Sequence, residues 1–247
     1  MTIRDIGIGL VRAVPWLEPV ARATYNGLPS WLHDTPTSRL RSFFSGTPLV
    51  TFVQIGAFDG KAGDPIRQLI VENSNWRGIM IEPQLAAFKR LKANYSAQSS
   101  RLIFTNCAIS SVSGERQFFT ISESQFREHN LPDWARELAT LEPDHIRRHF
   151  PHVEVDVENV KTMTFQEVAD LAAFDRVDLI VIDVEGHERR ILESIDLELF
   201  GVRFIVYEHK HLSRDDRGFC SGLLAHRGFM LKGFGRDTIA WRHLARS

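Results

Sequence analysis

The hydrophobic and polar positions change rhythm at about residue 49. Before that point the chain is rich in Pro, Trp and Arg and shows no sustained period. After it come short apolar, β-branched runs separated by amphipathic stretches. Residues 49–55 (LVTFVQI) predict a buried strand that stops at Gly56. Residues 65–73 predict a helix, with Asp64 as N-cap and Pro65 at the first helical position. A second strand is expected over 78–82, a helix over 85–95 with Leu85, Phe88 and Leu91 along one side, and a third strand over 102–106. Residues 178–182 predict a fourth strand, 188–194 the start of a helix, and 204–208 a fifth strand. A helix around 218–226 precedes two closing strands, 229–234 and 238–241, around a turn at Gly235-Arg236-Asp237. Continuously apolar strands alternating with helices imply a parallel sheet covered on both faces, and the hairpin implies an antiparallel edge. The pattern therefore predicts an α/β, Rossmann-like fold with a seven-stranded, mostly parallel sheet.

Two segments stand outside this rhythm. Residues 1–48 are expected to form an N-terminal helical cap, leaving 49–247 as the main domain. Within the cap, residues 6–20 are fairly apolar but are broken by Arg12, Pro15 and Glu18, so they are too short and too punctuated to span a bilayer. No clean secretory cleavage pattern follows them. An amphipathic helix is expected there, with peripheral membrane contact or a subunit interface as the alternative. Trp16, Tyr25 and Trp31 could form a homodimer face or pack internally. The second segment, 113–161, is an insertion before strand four, with an extra strand expected over 117–121. Its histidines His129, His145, His149 and His152 read as surface residues more often than as ligands. Long insertions in α/β folds commonly serve as lids or acceptor-binding elements.

Composition narrows the class of partner. With 247 residues and 43% hydrophobic content, the chain can build one sizeable core. A net charge of -1 offers no basic field for nucleic acid. The two cysteines, Cys107 and Cys220, follow no CxxC spacing, which argues against a disulfide framework and points to a reducing, cytoplasmic setting.

Open α/β sheets bind ligands beyond the carboxyl ends of their strands. After strand one stands GAFDGKAG, from Gly56 to Gly63, where glycines allow positive φ and close backbone approach. The spacing is not GxGxxG, which argues against a nicotinamide cofactor. Glu82, ending strand two before Pro83, is placed to accept both hydroxyls of a ribose. Together with Asn106-Cys107-Ala108 after strand three, these residues suggest an S-adenosylmethionine site. The expected cofactor-binding residues are Gln54, Gly56, Ala57, Asp59, Gly60, Asp64, Glu82, Pro83, Asn106, Cys107, Ala108 and Asp183. Asp59 and Asp64 could hold the methionine amino group or cap a helix. Nothing beside Cys107 in sequence would activate it as a nucleophile.

The stretches FVQIGAFDGKAGDPI, GIMIEPQ, NCAIS and DLIVIDVEGHERRILES resemble the FkbM family of S-adenosylmethionine-dependent methyltransferases. The resemblance covers roughly residues 50–241, excluding parts of the insertion. It implies a class I methyltransferase fold and, usually, O-methylation of a sugar, glycolipid or polysaccharide precursor, or natural product. His187 departs from the pattern, standing where an aromatic or small residue is expected.

Strand four ends in Asp183 and strand five in Glu208-His209, so these side chains could converge. The arrangement resembles metal-dependent O-methyltransferases of the catechol type, which implies Asp183, Glu208 and His209 as ligands of Mg2+ or another divalent metal. The alternative reading is that Asp183 only orients the methionine part of the cofactor and that Glu208 pairs with Lys210. Glu185 occupies the place of the base in natural-product sugar methyltransferases with a D-x-D motif, which it resembles. The catalytic candidates are therefore Glu185, His187 and Asp183, with Glu188 read as an ordinary first-turn acid. A metal-independent N- or C-methyltransferase and a non-catalytic nucleotide-binding protein are the competing readings.

Overall fold

The computed structural model describes residues 34–243, except 62, 137 and 142. Most of the expected N-terminal cap, with Trp16, Tyr25 and Trp31, lies outside the described residues. The chain divides into two compact units, Met1–Ser45 and Gly46–Ser247. In the first, helix α1 (Pro36–Phe43) opens on a capping box between Thr35 and Ser38.

The second unit carries, in order, β1 (Val50–Ile55), α2 (Arg67–Glu72), β2 (Trp76–Ile81), α3 (Leu85–Asn94), β3 (Leu102–Thr105), β4 (Ala108–Ile109), β5 (Gly114–Ile121), α4 (Glu123–Glu128), α5 (Pro143–His149) and β6 (Val155–Met163). It continues with α6 (Phe165–Leu171), β7 (Leu179–Ile182), α7 (Glu188–Ser194), β8 (Phe204–Glu208), α8 (Arg214–His226), β9 (Met230–Phe234) and β10 (Asp237–Trp241). The main sheet has seven strands in the order β3-β2-β1-β7-β8-β10-β9. Strands β3, β2, β1, β7 and β8 pair in parallel, and β10 runs antiparallel between β8 and β9. Strand order reverses direction at β1–β7, which places the topological switch there.

All four residues of β7 are buried, as a central strand covered on both faces requires. Val53, Ile55, Ile180, Ile182 and Ile205 join the main core with Ile191 and Leu192 of α7. At the opposite end of these strands, Asp178 accepts from the backbone and side chain of Thr51 and pairs with Arg203, tying β1, β7 and β8 together. Helix α2 begins at Arg67, two residues later than the sequence predicts. Asp64 nevertheless serves its start, because Oδ1 accepts from the backbone N–H groups of Ile66 and Arg67. Helix α8 begins earlier than expected, at Arg214, where Ser213 caps it.

The insertion folds into a second sheet, β4-β6-β5. Strands β5 and β6 pair antiparallel along their length, with α4 and α5 between them in the chain. Phe126, Ala135, Leu138 and Ile146 give this region its own small core. Among the described residues, no helix is long and apolar enough to cross a membrane.

Candidate active site

A cleft opens at the carboxyl ends of β1, β2, β7 and β8, at the topological switch. Its open space, counted to the mouth, is about 1090 Å³. The floor is the turn after β1. Gly56 has φ +76°, and a Cβ there would overlap the carbonyl oxygen of Asp183, so only glycine lets the ends of β1 and β7 meet this closely. Gln54 is buried, and its Oε1 has no hydrogen-bond partner among the described residues. Glu82 is buried at the end of β2. Its two carboxylate oxygens accept from the N–H groups of Phe58 and Gln84, each at 2.8 Å. Burial pushes this carboxyl up to about 7, against the pull of those two donors.

Of the expected cofactor residues, Gln54, Gly56, Ala57, Asp64, Glu82, Pro83, Cys107, Ala108 and Asp183 line the cleft. Asp59, Gly60 and Asn106 do not, and each has a local task instead. Asp59 accepts from Lys61 N at 2.8 Å. Gly60 sits under Tyr95 and Leu91. Asn106 donates to the carbonyls of Glu82 and Pro83 at 2.8 Å and so fixes the β2 turn from behind. Cys107 is buried, and burial pushes its thiol up to about 12, which suits a core residue.

Phe118, Ala139, Thr140 and Leu141, all from the insertion, complete the wall. They are held by a two-way backbone bridge between Phe119 and Thr140 and by the packing of Phe118 with Ala108 and Val160. Sequence reasoning missed these residues, because nothing local marks a loop that docks on a distant strand.

The other end of the cleft is acidic. Asp183, Glu185, His187 and Glu208 all line it. Glu185 takes φ +55°, an uncommon backbone state for a non-glycine residue, and Gly186 follows at +101°. The tight turn brings the N–H groups of Val184 and Gly186 onto Glu188 Oε1, at 3.1 and 3.3 Å. Glu188 is thus a fully buried acid that closes the turn, where the sequence suggested an ordinary helix-start residue. Burial pushes its carboxyl up to about 8. Glu208 is also buried, and burial followed by the charges of Asp183 and Glu185 pushes it up to about 9. The cation facing Glu208 is Arg236, 3.5 Å from Oε1, where the sequence suggested Lys210. His209 is absent from the cleft lining, and its Nδ1 pairs with Thr238 Oγ1 at 2.9 Å.

The Methyltransferase FkbM domain profile matches residues 54–235, more than half of the sequence. The chain belongs to the FkbM methyltransferase family. The family is one of methyltransferases. The glycine cradle at Gly56, the buried Gln54 Oε1, without a partner among the described residues, and the preset Glu82 carboxylate fit S-adenosylmethionine. Among solved structures, the FkbM methyltransferase from Methylobacillus flagellatus KT aligns at 15% identity with a TM-score of 0.51. The alignment covers 96% of this chain and 61% of that one, so the chain spans about three fifths of its relative's length. At this identity the likeness shows the fold. A putative caffeoyl-CoA O-methyltransferase from Staphylococcus aureus aligns at 10% identity and TM-score 0.41, covering 94% of this chain and 95% of that one. A search of curated proteins gave no match.

An outer groove lies beyond the turn after β7, lined by His145, Arg147, Arg148, Arg189 and Arg190 among others. Glu185 and His187 line both this groove and the inner cleft, so their turn is the partition between the two.

Proposed function

We propose that the protein transfers a methyl group to a hydroxyl of a sugar, a glycolipid or polysaccharide precursor, or a natural product. The observation that carries this is the partition: Glu185 and His187 face the inner cleft on one side and the outer groove on the other. When bound, S-adenosylmethionine supplies an electrophilic methyl group on a sulfonium. Gln54, Gly56, Ala57, Asp64 and Glu82 would hold it, Glu82 by accepting the ribose hydroxyls. Ala108 and Phe118 would flank the adenine. The acceptor would enter by the outer groove and present its hydroxyl to Glu185 or His187, either of which would take the proton. An in-line displacement needs the acceptor oxygen to meet the methyl group directly, so the hydroxyl would reach past Glu185 and His187 from the groove into the cleft.

Assistance by a divalent cation belongs to the same reading. Carboxylate oxygens of Asp183, Glu188 and Glu208 lie within 4.8 Å of one another. Like charges this close, sheltered from water, call for protons or a cation. Asp183 and Glu208 are kept as its oxygen ligands, whereas His209 is engaged elsewhere.

The test is a screen of hydroxylated sugars and glycolipid precursors with labelled cofactor, with and without EDTA. Transfer to a hydroxyl, with kcat at least about 100-fold lower in Glu185→Gln or His187→Gln, is expected for a base. Transfer to an amine with no effect of EDTA would move the assignment to N-methylation. Cofactor binding without transfer to any acceptor would make this a binding protein. Unchanged cofactor affinity in Glu82→Ala would overturn the placement of the ribose.

A further inference from the structure

Beside the partition, side chains from three distant parts of the sequence converge. His145 comes from α5 in the insertion, Glu185 from the turn after β7, and Glu208 and His211 from the end of β8 and the loop beyond it. His145 Nε2 lies 3.4 Å and His211 Nε2 3.3 Å from the same atom, Glu185 Oε2. His211 Nε2 is also 3.7 Å from Glu208 Oε2. Despite these approaches, His145 Nε2, Glu185 Oε2 and Glu208 Oε2 are buried and make no hydrogen bond among the described residues. The His145 side chain is only 3% exposed, and that of Glu208 only 2%. Buried polar atoms left unbonded are costly, and three at one place need an explanation.

We propose that Glu185, Glu208 and His211, whose ligand atoms lie within 4.8 Å of one another, form a site for a divalent transition metal of the zinc, manganese or iron class, with His145, 3.4 Å from Glu185 Oε2, as the fourth ligand drawn in on binding. Ligand atoms about 2.0–2.2 Å from one such ion, at tetrahedral angles, stand about 3.3–3.6 Å apart. The two approaches to Glu185 Oε2 fall in that range, and the His211–Glu208 approach lies just beyond it. Two imidazoles with one or two carboxylates select transition metals, whereas magnesium favours oxygen alone.

The surroundings fit the same assignment. His149 Nε2 lies 3.3 Å from His211 Nδ1, so the second ring nitrogen of His211 is held by a neighbour. Metal-bound histidines are commonly oriented in this way. When Nδ1 carries the proton of that pair, the Nε2 lone pair faces Glu185 Oε2 and Glu208 Oε2, an arrangement that a proton or a cation between them relieves. Gly186 makes room as well, because a Cβ there would stand 3.2 Å from His145 Nδ1. Glu208 Oε1 faces Arg236, which leaves Oε2 for the metal.

The site refines the cation assistance proposed above. It shares Glu208 with that oxygen pair and draws on Glu185 and the two histidines in place of Asp183, which leaves His187 to take the acceptor's proton. It rests on that reading only for its use in catalysis, since metal binding is measured without turnover. The probe is Co2+ added alone to the chelator-treated full chain. One equivalent is expected to bind with visible ligand-field bands of a nitrogen-and-oxygen site, and equimolar Mg2+ should not displace it. His145→Gln and His211→Asn should each weaken binding by more than about tenfold, and His149→Ala, acting through His211, by about 10- to 100-fold. Surface variants His129→Ala and His152→Ala should bind as the parent does. Circular dichroism and S-adenosylhomocysteine affinity report whether each variant is folded. Equal Co2+ affinity in folded His145→Gln and His211→Asn, or equal displacement by Mg2+, would overturn the site while leaving the methyltransferase reading untouched.

Discussion

Glu188 shows how one side chain can set the stability of a turn. It is fully buried, Oε1 closes the 184–186 turn, and Oε2 has no hydrogen-bond partner among the described residues. Its carboxyl stands at about 8 in the folded chain, above the ordinary 4.5. Below 4.5 both folded and unfolded chains hold the proton. Between about 4.5 and 8 the unfolded chain has released it and the folded chain has not, so stability declines as pH rises through this window. Glutamine retains the Oε1 acceptor and carries no titrating proton. Glu188→Gln in chelator-treated protein should therefore flatten the fall in stability between pH 5 and pH 8, with a gain on the order of 2 kcal/mol at pH 8. Urea unfolding at the two pH values checks it, and parallel pH profiles for parent and variant would refute it. The sequence could not show this role. An acid in the first turn of a helix normally faces water, and only the left-handed Glu185-Gly186 turn folds the chain back over it.

The strands and the turns between them carry the rest of the site. The turn after β1 meets the turn after β7 at Gly56, where a side chain would collide with Asp183 and the backbone already takes φ +76°. Gly56→Ala would cost about 1–2 kcal/mol for the backbone state alone, with the collision in addition. S-adenosylhomocysteine affinity should fall at least about tenfold, a change of about 1.4 kcal/mol, and titration calorimetry reads it directly. Unchanged affinity would mean that the turn does not touch the cofactor. This part of the fold was legible because central parallel strands are apolar throughout: each parallel strand of the main sheet is foreshadowed by such a run, and the β9–β10 hairpin by the turn at Gly235-Arg236-Asp237. Strand β6 was not legible. Its residues VDVENVKTM are mostly exposed along the first half, so it shows neither a continuous apolar run nor clean alternation. His145 and His149 escaped for a similar reason. Each is a polar residue in a polar segment, and their meeting with His211 arises from tertiary packing, which leaves no periodic trace.

At the scale of the second unit, the cleft belongs to both sheets. The main sheet supplies its floor, and Phe118, Ala139, Thr140 and Leu141 of the insertion supply one wall. A backbone bridge between Phe119 and Thr140 and a small apolar cluster around Phe118 anchor this wall. Segments outside a central sheet open locally more often than its strands do. A ligand seated between wall and floor favours the closed arrangement by its contacts with both. Hydrogen exchange should therefore slow across residues 114–121 and 138–141 when S-adenosylhomocysteine binds, together with the turns after β1 and β2. Thr140→Pro removes the N–H that donates to Phe119 O at 3.0 Å, so it should weaken cofactor binding by about three- to tenfold, the worth of one hydrogen bond. The variant should also lose the slowing at 114–121 and retain it at the β1 turn. Protection confined to the β1 and β2 turns in the parent protein would instead mean that the insertion serves only the acceptor side.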